Sequence, residues 1–260
     1  MALDKKSLVI IGAGNVACSL AKLFANKNIS LTIAARDVSK ITDDFKKIAT
    51  ITNIASVPEN AELYLICVKD DAIESVGKSL PNVNGVVAHT SGSVELKSLS
   101  RFSNHGVFYP FQSFRKEITL KETNFPILIE SSNKNAEEIL KDFAELISTK
   151  IFFSKPKSRA QLHIAGVFVS NFVNLLYDSG WKCVENNFDA LEVLLPIIKE
   201  TANRIETLPP SELQTGPAIR DDKITIENHL RLLENNPELT TIYKTLTNLL
   251  LKKYNHEKLS

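Results

Sequence analysis

A chain of 260 residues, 43% of them hydrophobic and with a formal net charge of +1, holds enough apolar material for one large domain or two modest ones. The near-neutral balance argues against nucleic-acid or anionic-membrane partners, which need a strongly basic surface. No apolar run approaches the roughly 20 residues that cross a bilayer, and the apolar run in the opening MALDKKSLVIIG is too short for a signal peptide. Cys18, Cys67 and Cys183 are widely spaced, odd in number and set in apolar contexts. They read as reduced core thiols of a cytoplasmic protein, not as disulfides or a zinc site.

The run Leu8–Ile11 predicts a buried strand, and Asn15–Asn26 has the spacing of a helix. Between them lies G-x-G-x-x-A, with Gly12, Gly14 and Ala17. Such glycines can simply serve a turn, but a strand before them and a helix after them match the dinucleotide fingerprint. Gly12 then permits the tight turn and Gly14 lets backbone approach a pyrophosphate. Ala17 allows close packing, and the helix start at Asn15 and Val16 points its N–H groups at the anion.

The next strand, Leu31–Ala35, ends in IAARD. A carboxylate there would suit a ribose 2′-hydroxyl, whereas Ala35 and Arg36 suit a 2′-phosphate, because guanidinium offers a planar fork of donors. Asp37 could pair with Arg36 or cap the helix that follows. NADP is favoured over NAD.

Strand Leu63–Val68 leads into Val68, Lys69 and Asp70, at the sheet edge where such ligands bind. Asp70 reads first as the N-cap of a helix running to Leu80. Strand Val86–His89 brings His89, Thr90, Ser91 and Gly92 to the same edge. His89 and Thr90 are assigned to the cofactor and Ser91 to the reacting group; the alternative is a serine cap for Val94–Ser98. Strands Gly106–Phe108, Ile127–Glu130 and Ile151–Phe153 follow, with a helix at Asn135–Thr149. The pattern is an α/β fold with a mostly parallel sheet.

The charged, proline-containing FSKPKSR marks a boundary, giving domains 1–155 and 156–260. The second half is helical in period, with breaks at Asn186–Asn187, Leu208–Pro217 and Asn235–Pro237. Ala160–Trp181 reads as one long helix, apolar nearly all round and hence central and buried. At about 100° per residue, His163, Gly166, Ser170, Asn174 and Tyr177 share a stripe with Asn171 at its side. The stripe either lines a site or forms an interhelical polar network. Further on, a Thr215–Gly216–Pro217 turn precedes Arg220, Asp221 and Asp222. Arg220 could hold a carboxylate or phosphate, or pair locally while one aspartate caps the next helix. The five histidines show no metal-ligand spacing, and His256 is expected to be solvated near the tail.

Taken in order, IGAGNVACSLAKLF, VKDDAI, HTSGS, GVFYPFQSF, HIAGVFVSNFVNLL and TGPAIRDDKITIENHL resemble a family with a Rossmann-like domain followed by the DUF2520 helical domain. The family is related to pyrroline-5-carboxylate reductases, β-hydroxyacid dehydrogenases and 6-phosphogluconate dehydrogenases. The resemblance implies an NADP-dependent oxidoreductase. Its helical domain, like the C-terminal domain of 6-phosphogluconate dehydrogenase, would cover the nicotinamide and supply homodimer contacts. Hydroxyacid dehydrogenases carry a lysine on the long helix where this chain has His163, Asn171 and Asn174, so their mechanism does not transfer. The family more often has Arg-Gly-Asp where this chain has Arg220-Asp221-Asp222.

The expected activity is hydride transfer between NADP(H) and a small polar, anionic substrate in an interdomain cleft. His163 would act as acid or base because imidazole titrates near neutral pH. Asn171, Asn174 and Ser91 would orient the reacting group, while Ser170 and Arg220 would bind substrate. The alternative is a non-catalytic NADP-binding redox sensor or assembly module.

Overall fold

A computed structural model describes residues 5–118, 120, 123–184 and 188–259. Strands β1 (Lys6–Ile11), β2 (Ile29–Ala35), β3 (Thr50–Asn53), β4 (Leu63–Ile66), β5 (Val86–His89), β6 (His105–Pro110), β7 (Ile127–Ser131) and β8 (Ile151–Phe153) form one sheet of order β3-β2-β1-β4-β5-β6-β7-β8. Neighbours are parallel except β6 and β7, where Tyr109 pairs with Leu128 in antiparallel register. The α/β class and mostly parallel sheet are as the alternating patterns predict. Strand β3 was not foreseen: Thr-Ile-Thr-Asn offers a single apolar residue, as suits a polar sheet edge.

Both faces of the sheet are covered, which is why β1 reads as an unbroken apolar run. Leu8 and Ile10 pack with α1 (Asn15–Ala25) and α4 (Lys134–Glu145), through Leu20, Phe24, Leu140 and Phe143. Val9 and Ile11 face the other way, joining Ile73 and Val76 of α3 (Ile73–Ser79) with Leu99 and Phe102. Each such side chain contributes roughly 1.5–3 kcal/mol when fully buried. The short α2 (Asp43–Lys46) lies between β2 and β3.

The chain divides into two compact units, Met1–Asn171 and Phe172–Ser260. Helix α5 (Pro156–Gly166) belongs to the first and is followed by a π-helical stretch, Val167–Phe172. The second unit contains α6 (Val173–Val184), α7 (Ala190–Asn203), α8 (Lys223–Leu232) and α9 (Pro237–Lys253). Asp189, Asp222 and Asn236 cap the last three by accepting from backbone N–H groups one turn in. The break expected at Asn186–Asn187 lies outside the described residues.

Two expectations need correction. The run from Ala160 to Trp181 is neither one regular helix nor buried: Phe168, Val169 and Phe172 are exposed, as are Leu175, Leu176 and Tyr177. An apolar helix face demands a cover, but periodicity does not say that the same chain supplies it. Of the three free cysteines, Cys18 and Cys67 are core residues while Cys183 is exposed. Among the described residues, no helix is long and apolar enough to cross a membrane.

Candidate functional site

The carboxyl ends of β1, β2, β4, β5 and β6 share one edge of the sheet. At Gly12 the chain leaves β1 with φ of +126°, its N–H donating to the Ala34 carbonyl at 2.8 Å. A Cβ at Gly12 would stand 2.3 Å from the Cys67 carbonyl oxygen, so only glycine fits. Gly14 differs, since nothing lies within 4 Å of where its Cβ would be. It is the N-cap of α1, whose first turn has neither a side-chain cap nor an acidic residue. The N–H groups beginning at Asn15 and Val16 thus have no side-chain cap, which leaves this helix start able to receive an anion. The Asn15 carboxamide oxygen accepts from the Lys116 N–H at 3.3 Å, drawing the segment after β6 towards this corner.

Beyond β2, Ala35 is half-buried and Arg36 exposed. The Asn53 amide donates to the Arg36 carbonyl at 3.0 Å, fixing the backbone there. Asp37 caps the turn Val38–Lys40 by accepting from the Ser39 N–H and hydroxyl. The Arg36 guanidinium has no hydrogen-bond partner among the described residues.

At β4 and β5, Val68 is half-buried and Lys69 exposed. Asp70 is no N-cap: it is the first residue of a short 3₁₀ turn whose cap position, Lys69, makes no side-chain bond, and its carboxylate accepts from the Ser93 hydroxyl. The competing partner across the edge wins over the local cap. His89 is fully buried, its Nδ1 accepting from the Ser91 N–H at 3.2 Å. Burial, then the Arg159 guanidinium, bring its pKa down to about 4, so the ring is neutral near pH 7. Thr90 is buried against the Ile66 carbonyl. The Ser91 hydroxyl accepts from the N–H groups of Ser93 and Val94, closing a turn ahead of the 3₁₀ segment Leu96–Leu99, whose cap position, Glu95, makes no side-chain bond, so the serine cap raised as the alternative is not formed.

A buried ion pair underlies this loop. Arg159, on α5, donates from Nε to Glu130 of β7 at 2.7 Å. Its Nη1 and Nη2 donate to the Ser91 and Val94 carbonyls at 2.9 and 2.7 Å. One guanidinium thus joins a strand, a helix and the loop after β5. One turn further along α5, His163 Nδ1 lies 3.0 Å from the Tyr109 hydroxyl at the end of β6. Gly92 is the floor under both rings, since a Cβ there would lie 2.6 Å from His163 Nδ1 and 2.8 Å from Tyr109 Cζ.

Tyr109, Phe111, Gln112, Ser113, His163, Ser170 and Asn171 line an open pocket of about 440 Å³, with Gly166, Val167 and Val169. The π-helical stretch breaks the assumed 100° step beyond Gly166, because its hydrogen bonds run i to i+5. Asn171, expected beside the stripe, therefore lines the pocket together with Ser170. Asn174 and Arg220 are exposed residues of the second unit.

Residues 7–88 match the family model described as "NADP oxidoreductase coenzyme F420-dependent". Residues 125–249 match DUF2520, a domain of unknown function. No curated protein matches the chain. A solved structure from Bacteroides fragilis, described as a "putative NADP oxidoreductase", is 31% identical with a TM-score of 0.86, over 95% of this chain and 98% of that one. The chain belongs to that NADP oxidoreductase family. A reductive aminase from Aspergillus terreus, in complex with NADPH and ethyl-5-oxohexanoate, shares the fold at 14% identity and a TM-score of 0.71, over 97% and 96% of the two chains. So does 1-pyrroline-5-carboxylate reductase from Streptococcus pyogenes, at 15% and 0.64, over 97% and 99%. The resemblance read from the motifs is thereby established.

Within this member of the NADP oxidoreductase family, sequence reasoning missed Tyr109, Glu130 and Arg159. Tyr109 could have been found, since it ends a strand at the ligand edge. Arg159 could not, because it sits in a charged segment that looks like a linker.

The second unit adds three findings. Asp222 is the cap of α8, accepting from the Thr225 N–H at 3.1 Å. His256 is not solvated: it is half-buried and its Nε2 lies 2.9 Å from the Ile219 carbonyl, because the chain after α9 folds back. Asp221 has φ of +51°, where glycine is favoured, and its Oδ1 is buried with no hydrogen-bond partner among the described residues. Asp221→Gly is therefore expected to raise stability by about 1 kcal/mol, measured by urea unfolding. A loss of stability would show that the carboxylate is held by an interaction of its own.

Proposed function

We propose that this chain is an NADP(H)-dependent oxidoreductase acting on a small polar, anionic substrate. The observation that carries it is the uncapped, sterically open helix start at Gly14, with Arg36 at the end of the neighbouring strand. Gly12, Gly14, Asn15 and Val16 would cradle the pyrophosphate, and Ala35 and Arg36 the 2′-phosphate. Val68, Lys69, His89 and Thr90 shape the edge along which the cofactor would lie. When bound, NADPH supplies the hydride; the protein supplies position and electrostatics.

His163 would be the acid–base group at the pocket, with Ser91, Asn171 and Asn174 orienting the reacting group and Ser170 contacting substrate. Arg220, exposed beside the Pro217 turn, would hold the anionic part. We assign cofactor binding to residues 1–155, and substrate handling and dimerisation to 156–260. A homodimer would cover large apolar side chains that the helical unit leaves exposed, among them Leu175, Leu176, Leu191 and Ile197. A cytoplasmic location accords with the three unpaired cysteines.

Thermal stabilisation tests the cofactor. NADPH at a hundred times its Kd should raise Tm by roughly 5–10 °C, NADH should give less, and Arg36→Ala should erase the difference. An equal or larger NADH shift would overturn the role of Arg36. No shift with either nucleotide would overturn the cradle.

A further inference from the structure

A phenol and a neutral imidazole can share a hydrogen bond in either direction, and the surroundings of Tyr109 and His163 choose one. The Tyr109 hydroxyl has no other hydrogen-bond partner among the described residues. If Nδ1 carried the imidazole proton, the phenolic hydrogen would have no protein acceptor. Burial raises the Tyr109 pKa, opposed by the Arg159 guanidinium, so the O–H persists at neutral pH. A donating phenol needs a bare Nδ1, and a neutral ring with a bare Nδ1 carries its proton on Nε2. Flipping the ring would set a carbon against the hydroxyl and forfeit the bond. Gly92, pressed against both rings and flanked by the two carbonyls that Arg159 holds, keeps the pair in register. Nε2 has no protein partner among the described residues, and His163 is a wall of the pocket that Gln112, Ser170 and Asn171 also line.

We propose that Tyr109 is a positioning residue that fixes His163 as the Nε2–H tautomer, so that the pocket offers an N–H donor and selects substrates by an acceptor atom: a carbonyl oxygen or an imine nitrogen. For the substrate class, though not for the tautomer, the inference rests on the oxidoreductase function proposed above. It sets the resting site to polarise the unsaturated group that receives the hydride.

The full chain labelled with ¹⁵N-histidine, without nucleotide and at a pH where the ring is neutral, reads the tautomer directly. His163 should show a protonated, pyrrole-type Nε2 and a bare, pyridine-type Nδ1. In Tyr109→Phe the Nδ1 resonance should move towards the average of mixed tautomers. An Nδ1–H ring in the wild type, or an unmoved Nδ1 resonance in Tyr109→Phe, overturns the proposal; the wild-type spectrum decides even if the variant does not fold. Turnover tests the substrate class: NADPH should be consumed with members of a panel of ketones, 2-oxoacids and imines. NADP reduction by alcohols or amines alone, or silence across the whole panel, overturns the class. Absence of NADPH binding would instead remove the oxidoreductase function and leave the tautomer standing.

Discussion

Arg159→Ala is expected to destabilise the first unit by about 3–5 kcal/mol, the usual loss when one partner of a buried ion pair is removed. Glu130 would be left charged and buried, its side chain only 4% exposed. The Ser91 and Val94 carbonyls would lose their donors in the same stroke. Urea unfolding monitored at the single-domain level should show the midpoint falling with little change in slope. Adding Glu130→Leu to Arg159→Met should recover much of the loss, because an apolar pair of similar volume removes the unpaired charge. If Arg159→Ala unfolds within about 1 kcal/mol of wild type, water must reach Glu130 and the pair is not the clamp described.

The two glycines of the loop should part company under substitution. Gly12→Ala forces a side chain into positive φ and against the Cys67 carbonyl, so it should destabilise the chain by roughly 1–3 kcal/mol from backbone strain alone. Gly14→Ala meets no neighbour and its φ of −83° is open to any residue. Its melting temperature should match wild type, yet NADPH should bind about tenfold or more weakly, a loss of roughly 1.4 kcal/mol. The methyl group would occupy the space the pyrophosphate needs. Wild-type NADPH affinity in Gly14→Ala would take that glycine out of the cradle.

The contrast also marks what could be read from sequence. Strands buried on both faces announce themselves, as Leu8–Ile11 does, because no polar position interrupts them. The polar edge strand Thr50–Asn53 lacks that signal. The turn at Gly12 and the helix start at Gly14 were legible because they depend on local spacing along a strand–turn–helix unit. The His163 wall was legible only in part, since counting at 100° per residue fails once the helix widens at Val167. Arg159 and Glu130 lie 29 residues apart, and nothing along the chain distinguishes them from solvated charges. Their pairing exists only after the sheet has set β5, β6 and β7 side by side.

The two-sided burial of β1 has a further consequence, for the drift of this sequence over time. Leu8, Val9, Ile10 and Ile11 are at most 1% exposed, so neither parity of position offers a place where a polar mutation is harmless. A strand with one wet face can exchange half its residues freely; this one can vary only among apolar shapes that fill the same volume. At the far edge, Phe152 and Phe153 of β8 are 53% and 57% exposed and have no comparable constraint within the chain. Related chains should therefore diverge from the sheet's rim inward, with the strand that launches the glycine loop changing last.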